Sequence, residues 1–237
     1  MRPFFALALS VFLAALLSAP ACRAADLTET EARWLKGAWP VVEFARHSGL
    51  PLDIVVQPQP TPGAAPLALA FVGGRCKLVL SMRGNSEAQA TLDRLEPELF
   101  DATLELMAAH ELGHCRRYLD GAWYGLPSGF SADPPERREI ESGAMPAPIS
   151  AARLEEGYGD LVGLAWAQQQ HPRLYPRLWA WLVAERSNGR VPGADHDTLA
   201  WVSLATPTAD PVRGRASIFD WATARWRAGL VEAGRGD

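Results

Sequence analysis

Apolar positions along the chain fall into short runs toward the N-terminal side and long helical-period stretches after them. Three short runs, residues 52–56, 67–72 and 77–83, are bounded by Pro and Gly and read as strands. Gly73-Gly74, between the last two, predicts a tight hairpin. Ahead of them, Thr28-Glu29-Thr30-Glu31 matches a capping box and opens a helix to about His47. Behind them a long helix is expected over about 98–119, with Pro97 before it and Asp120-Gly121 as its stop. A polar, Pro-rich loop follows at 122–149, and then Ser150 caps a second long helix that runs to Gln170 and ends at Pro172. Further helices are expected at 176–186, 198–204 and 217–228. The order predicts an α+β domain, mostly helical, with a small sheet toward its N-terminal side. Residues 54–74 carry no charge, but Pro58, Pro60, Pro62 and Pro66 break the stretch and rule out a membrane helix.

Composition sharpens this picture at the N-terminus. Arg2 precedes an apolar run of 14 residues (4–17), and the small-residue stretch Ser18-Ala19-Pro20-Ala21-Cys22-Arg23-Ala24 follows. That layout is a secretory signal peptide with cleavage after Ala21 or Ala24, and the run is short of the roughly 20 residues a membrane span needs. Residues 1–24 are therefore set apart, leaving 25–237 as one domain located in the periplasm or outside the cell. Cys22 offers a lipoprotein as the alternative, although Ala19-Pro20-Ala21 lacks the leucine usual before such a site. With 48% hydrophobic and 21% charged residues the chain is an ordinary globular one. Its net charge of −4 leaves no basic footprint for nucleic acid. Loss of the first 24 residues removes Arg2 and Arg23 and leaves only Cys76 and Cys115 as cysteines. In an oxidising compartment these two form either a bridge or a pair of buried thiols.

The long helix carries the chemistry. His110-Glu111-Leu112-Gly113-His114 is an H-E-x-x-H pattern. At helical spacing its histidines lie about 40° apart on one face, one turn above the other, so both imidazoles can reach one metal. Glu111 sits beside them, placed for a water rather than for the metal. Neutral imidazole nitrogens suit zinc, and a catalytic zinc needs a third protein ligand with one position left for water. The metzincin arrangement would put Gly and His where Arg117 and Asp120 stand, and is excluded. The second helix offers Leu154-Glu155-Glu156-Gly157-Tyr158-Gly159-Asp160. Glu156 and Asp160 share a face, so Glu156 is the candidate third ligand, while Asp160 can hold the free N–H of a zinc histidine and fix its orientation. Glu155 points about 100° away and is the weaker candidate.

The motif followed 42 residues later by Glu156 and Asp160 resembles the gluzincin metallopeptidases. Its HELGH form is especially similar to their periplasmic and membrane-associated members. The resemblance rests on two helices and implies a zincin-like fold, with the sheet above the active-site helix and an edge strand that pairs with an extended polypeptide substrate. Residues 77–83 are the candidate edge strand. Arg116 and Gly159 stand where the family more often has an apolar residue and Ala.

The expected function is therefore zinc-dependent hydrolysis of peptide bonds, with Zn²⁺ held by His110, His114 and Glu156, and Glu111 as general base. His196, between Asp195 and Asp197 at a loop-to-helix junction, is the candidate donor to the oxyanion. It can equally be a solvent-facing histidine. Tyr158 falls on the far side of its helix, His47 and His171 sit near helix ends, and most of the nine tryptophans lie in helices; all of these read as structural. The loop at 122–149 is placed to gate the cleft. The alternative is a non-catalytic zincin-like domain that binds a peptide or a cell-envelope partner.

Overall fold

The computed structural model describes residues 26–121, 151–188, 190–212 and 217–233. The signal-peptide segment with Cys22, and the expected gating loop at 122–149, lie outside the described residues.

Helix α1 (Glu29–His47) opens on the expected capping box, in which the Glu31 amide donates to Thr28 Oγ1 (3.2 Å) and the Thr28 amide to Glu31 Oε2 (2.7 Å). Three strands follow: β1 (Leu52–Pro58), β2 (Leu67–Val72) and β3 (Arg75–Arg83). Gly73 and Gly74, at φ 60° and 75°, make the tight turn between β2 and β3.

The sheet order is β1-β3-β2, with β1 parallel and β2 antiparallel to β3. This corrects one expectation. Residues 77–83 do not form the edge strand; they lie in the centre of the sheet, hydrogen-bonded on both sides. The hairpin places β2 against one side of β3, and β1 comes in parallel against the other. Both edge strands carry a marker of their position, since Pro66 abuts β2 and Pro58 ends β1, and proline cannot donate within a ladder.

Helix α2 (Ser86–Arg94) was not expected from the pattern. It is short and polar, buries only Ala88 and Leu92, and is announced only by Asn85, whose side chain accepts the Glu87 amide at 3.1 Å. Two long helices make the centre of the domain, α3 (Phe100–Leu119) and α4 (Ala151–Gln170). They run antiparallel, as Glu105 meets Trp166, His110 meets Asp160 and Arg117 meets Glu155. Glycines let them approach closely: a Cβ on Gly113 would lie 3.1 Å from the Gly159 Cα, and one on Gly163 2.8 Å from the Leu106 carbonyl. Helices α5 (Tyr175–Ser187), α6 (Leu199–Val202, continued as a 3₁₀ turn over Ser203–Ala205) and α7 (Ile218–Ala233) complete the chain. Trp201 of α6 is fully buried between Gly157 and Gly229, where any Cβ would strike its indole at 2.6 or 2.4 Å.

The core is continuous from α1 through the sheet and α3 to α4 and α7. Cys76 of β3 and Cys115 of α3 form a disulfide and are both wholly buried. It ties the central strand to the helix one residue beyond His114. A bridge across 39 residues is worth about 4 kcal/mol through the entropy it removes from the unfolded chain. None of the described helices is long and apolar enough to cross a membrane.

Candidate metal centre

Helix α3 delivers His110 and His114 one turn apart, their rings at 88° to each other and their Nε2 atoms 3.0 Å apart. Helix α4 delivers Glu156 across from them, with Oε2 3.2 Å from His110 Nε2 and Oε1 3.5 Å from His114 Nε2. The ligating atoms of these three side chains lie within 4.8 Å of one another. Glu156 Oε2 is buried and accepts no hydrogen bond, although imidazole nitrogens surround it. Buried polar atoms are normally satisfied. Two ring nitrogens and an unsatisfied carboxylate oxygen turned to one point are what a cation would complete, and this N₂O donor set suits zinc.

Asp160, fully buried, stands behind His110. Its Oδ1 meets His110 Nδ1 at 3.0 Å. Arg186 of α5 clamps both carboxylate oxygens, with Nε 2.8 Å from Oδ2 and Nη2 2.5 Å from Oδ1, and the Thr198 hydroxyl donates to Oδ2 at 2.5 Å. With Nδ1 committed to Asp160, Nε2 of His110 is the nitrogen presented to a metal.

The charges follow from these contacts. Burial would raise the Asp160 carboxyl, but the Arg186 guanidinium and His110 hold it well below the usual carboxylate range. Burial likewise opposes ionisation of Glu156, and the two imidazoles override it and keep the carboxyl low. Burial alone would depress His110, yet Asp160 and Glu156 push it up to about 10. The Glu111 carboxyl is raised by burial, and the backbone of Leu69 in β2 lies beside it.

That last contact shows how the sheet meets the site. The Ser81 amide donates to the Pro66 carbonyl at 2.9 Å, which makes 66/81, and by alternation 68/79 and 70/77, the hydrogen-bonded pairs of the β2–β3 ladder. The backbone groups of Leu67 and Leu69 consequently point away from β3, toward α3. Strand β2, not β3, is the edge beside the site.

All six candidate side chains, His110, Glu111, His114, Glu156, Asp160 and His196, line one cleft of about 1160 Å³. His196 is exposed (59%) but brings Nε2 to 3.4 Å from Glu156 Oε2. Glu155 turns the other way, into a two-pronged pair with Arg117 at 2.7 and 2.8 Å. Tyr158 is buried against Trp226. Gly159 is more constrained than its sequence context shows, because a Cβ there would lie 2.8 Å from His110 Cε1. Arg186 and Thr198 were not foreseen. A buried Asp160 implies some cationic partner, but nothing in the local pattern of 175–187 marks Arg186 as that partner.

No family model, curated protein or solved structure matches this chain.

Proposed function

We propose that the protein is an extracytoplasmic zinc endopeptidase of gluzincin type with a zincin-like fold. The observation that carries the reading is the convergence of His110, His114 and Glu156 on one point, with the Glu111 carboxylate beside it at the edge of a sheet. A site that is only structural has no use for a general base. His110, His114 and Glu156 would hold the zinc ion, which when bound would supply a Lewis acid and lower the pKa of a water in the cleft. Glu111 accepts that water's proton and passes it to the leaving amine, and burial has already raised its carboxyl, which suits a group that must both take and give a proton. Asp160, fixed by Arg186 and Thr198, holds His110 in one orientation. His196, on the exposed side of the cleft, donates to the oxyanion that develops on the scissile carbonyl. An extended polypeptide runs alongside β2, the edge strand beside the cleft, a role first expected of residues 77–83. Residues 1–24 act as the secretory signal that sends the chain to the periplasm or the exterior, and the Cys76–Cys115 disulfide is at home in that oxidising compartment.

The decisive variant is Glu111→Gln, assayed for zinc by elemental mass spectrometry and for cleavage of fluorescein-labelled casein. Retained zinc with turnover reduced by roughly 10²- to 10⁴-fold is the expected result. Undiminished cleavage would remove Glu111 from the mechanism. A zinc-loaded parent that cleaves nothing would favour the non-catalytic peptide-binding domain.

A further inference from the structure

Helix α4 brings more to the cleft than a ligand. Arg153, Glu156 and Asp160 stand within about 60° of one another on its surface. The third member of this stripe, Arg153, reaches the segment that carries His196. Its Nε donates to the Asp197 carbonyl at 2.6 Å and its Nη2 lies 3.2 Å from Asp197 Oδ2.

Asp197 gathers the rest of that segment. Its Oδ1 accepts Arg190 Nε at 2.6 Å, and its Oδ2 accepts the Gly193 amide at 2.9 Å. Gly193 adopts a φ of 79°, which only glycine takes without strain, in the turn that brings its N–H to the carboxylate. The Asp197 amide in turn donates to the Ala194 carbonyl at 2.9 Å. One residue on, the Thr198 amide donates to the His196 carbonyl at 2.9 Å, and its hydroxyl is bound to Asp160. His196 is exposed, while Asp197 and Thr198 beside it are buried and fully engaged. The ring therefore projects from a backbone fastened on its C-terminal side to the same carboxylate that orients His110.

We propose that residues 190–198 form a rigid arm, built around Asp197 and fastened to Arg153 and Asp160, that holds the His196 imidazole over the open side of the metal centre. Asp197 is in these terms a positioning residue, acting through the backbone of His196 and not through its ring. The proposal rests on the peptidase reading, in which His196 serves the oxyanion. It adds that the donor is preorganised, so no loop closure is needed to deliver it. The design is economical in that one stripe of α4 supplies the third ligand, the support for the first ligand and the anchor for the donor.

The test uses zinc-loaded protein and four variants: His196→Ala, Asp197→Ala, the double variant, and Arg190→Ala, which removes one exposed donor to Asp197 without touching the core. The first readout is fluorescein-casein cleavage. His196→Ala and Asp197→Ala should each lower kcat by about 100-fold with KM little changed, as for loss of one oxyanion donor. The double variant should be no worse than either single one. Arg190→Ala should fall between these and the parent, and zinc content should stay at one per chain throughout. The second readout needs no activity. The ring ¹⁵N resonances of His196, identified by their loss in His196→Ala, should lie away from those of solvated histidine in the parent and move to them in Asp197→Ala.

Losses that multiply in the double variant would overturn the proposal, because Asp197 would then act independently of His196. Unmoved His196 resonances in both Asp197→Ala and Arg190→Ala would do the same. A parent that cleaves no casein but shows the displaced resonances would refute the peptidase reading and leave the arm standing.

Discussion

At its two ends the α3–α4 interface buries an acid against imidazole, and it disposes of the two acids in opposite ways. At the N-terminal end of α3, Glu105 Oε2 accepts from Trp166 Nε1 and meets His171 Nε2, both at 2.8 Å. One turn and a half further along, Glu156 faces His110 and His114 at similar distances, and its Oε2 accepts nothing. Both acids are largely shielded from solvent, and each faces at least one imidazole. The difference lies in the donors: Trp166 brings an N–H that can do nothing else, whereas both rings at the Glu156 end turn Nε2 inward. The first cluster is complete as protein, whereas the second has the donor set that a cation would complete. A His–Glu contact between two helices is thus no signal by itself; what counts is whether the protein satisfies it.

Removing the acid at each end tests that difference. Glu156→Ala should have the largest effect, lowering zinc affinity by more than about 100-fold, since even outer contacts to a zinc ligand are worth 10- to 100-fold. Zinc per chain after gel filtration would read it, and an unchanged stoichiometry would eliminate Glu156 as a ligand. Asp160→Asn comes next. It leaves all three ligands in place but weakens the support of His110, so affinity should fall by roughly 10- to 100-fold, measured by competition with a chromophoric chelator. Glu105→Gln is the counterpart at the satisfied end. It should cost about 1–3 kcal/mol of unfolding free energy in urea and leave zinc affinity untouched. A large loss of zinc from Glu105→Gln would mean that the two clusters are coupled through the helices, and the contrast between them would collapse.

The cluster of His110, His114, Glu156 and Asp160 was the part of this molecule most legible in the sequence. Its spacing is local: His110 and His114 are set by one turn of α3, Glu156 and Asp160 by one turn of α4, and helix periodicity alone puts each pair on one face. What joins the pairs is the antiparallel packing of two long helices, and glycines at 113, 159 and 163 permit it. The sheet was legible strand by strand and not in its order. The hairpin at Gly73-Gly74 fixes β2 beside β3, but no local feature tells β1 which side to join, and the central position of β3 follows only from that choice. The supports of the site were the least legible. Arg186 and Thr198 reach the Asp160 carboxylate across 26 and 38 positions in the chain, and Arg153 reaches the carbonyl and carboxylate of Asp197 across 44. Long-range ion pairs of this kind carry no period, so an arginine that holds a buried acid reads like one that faces water.

Asp197 is another buried acid, satisfied by its partners as Glu105 is, but it belongs to the segment that carries His196. Burial opposes its ionisation, but hydrogen bonds from Arg190 and the Gly193 amide, and the nearby charge of Arg153, hold its carboxyl below the usual range. A carboxyl depressed in the folded state contributes stability that is fully present above its unfolded value of about 4 and is lost as pH falls through the folded one. Asp197→Asn keeps the shape and removes the charge. The parent should therefore melt about 2–4 °C above this variant at neutral pH, and the gap should close as the pH is lowered below about 4. Differential scanning calorimetry from pH 7 to pH 3 would show it. A gap that stays constant over that range would mean that Asp197 holds the arm by shape alone, and that its charge adds nothing to the folded state.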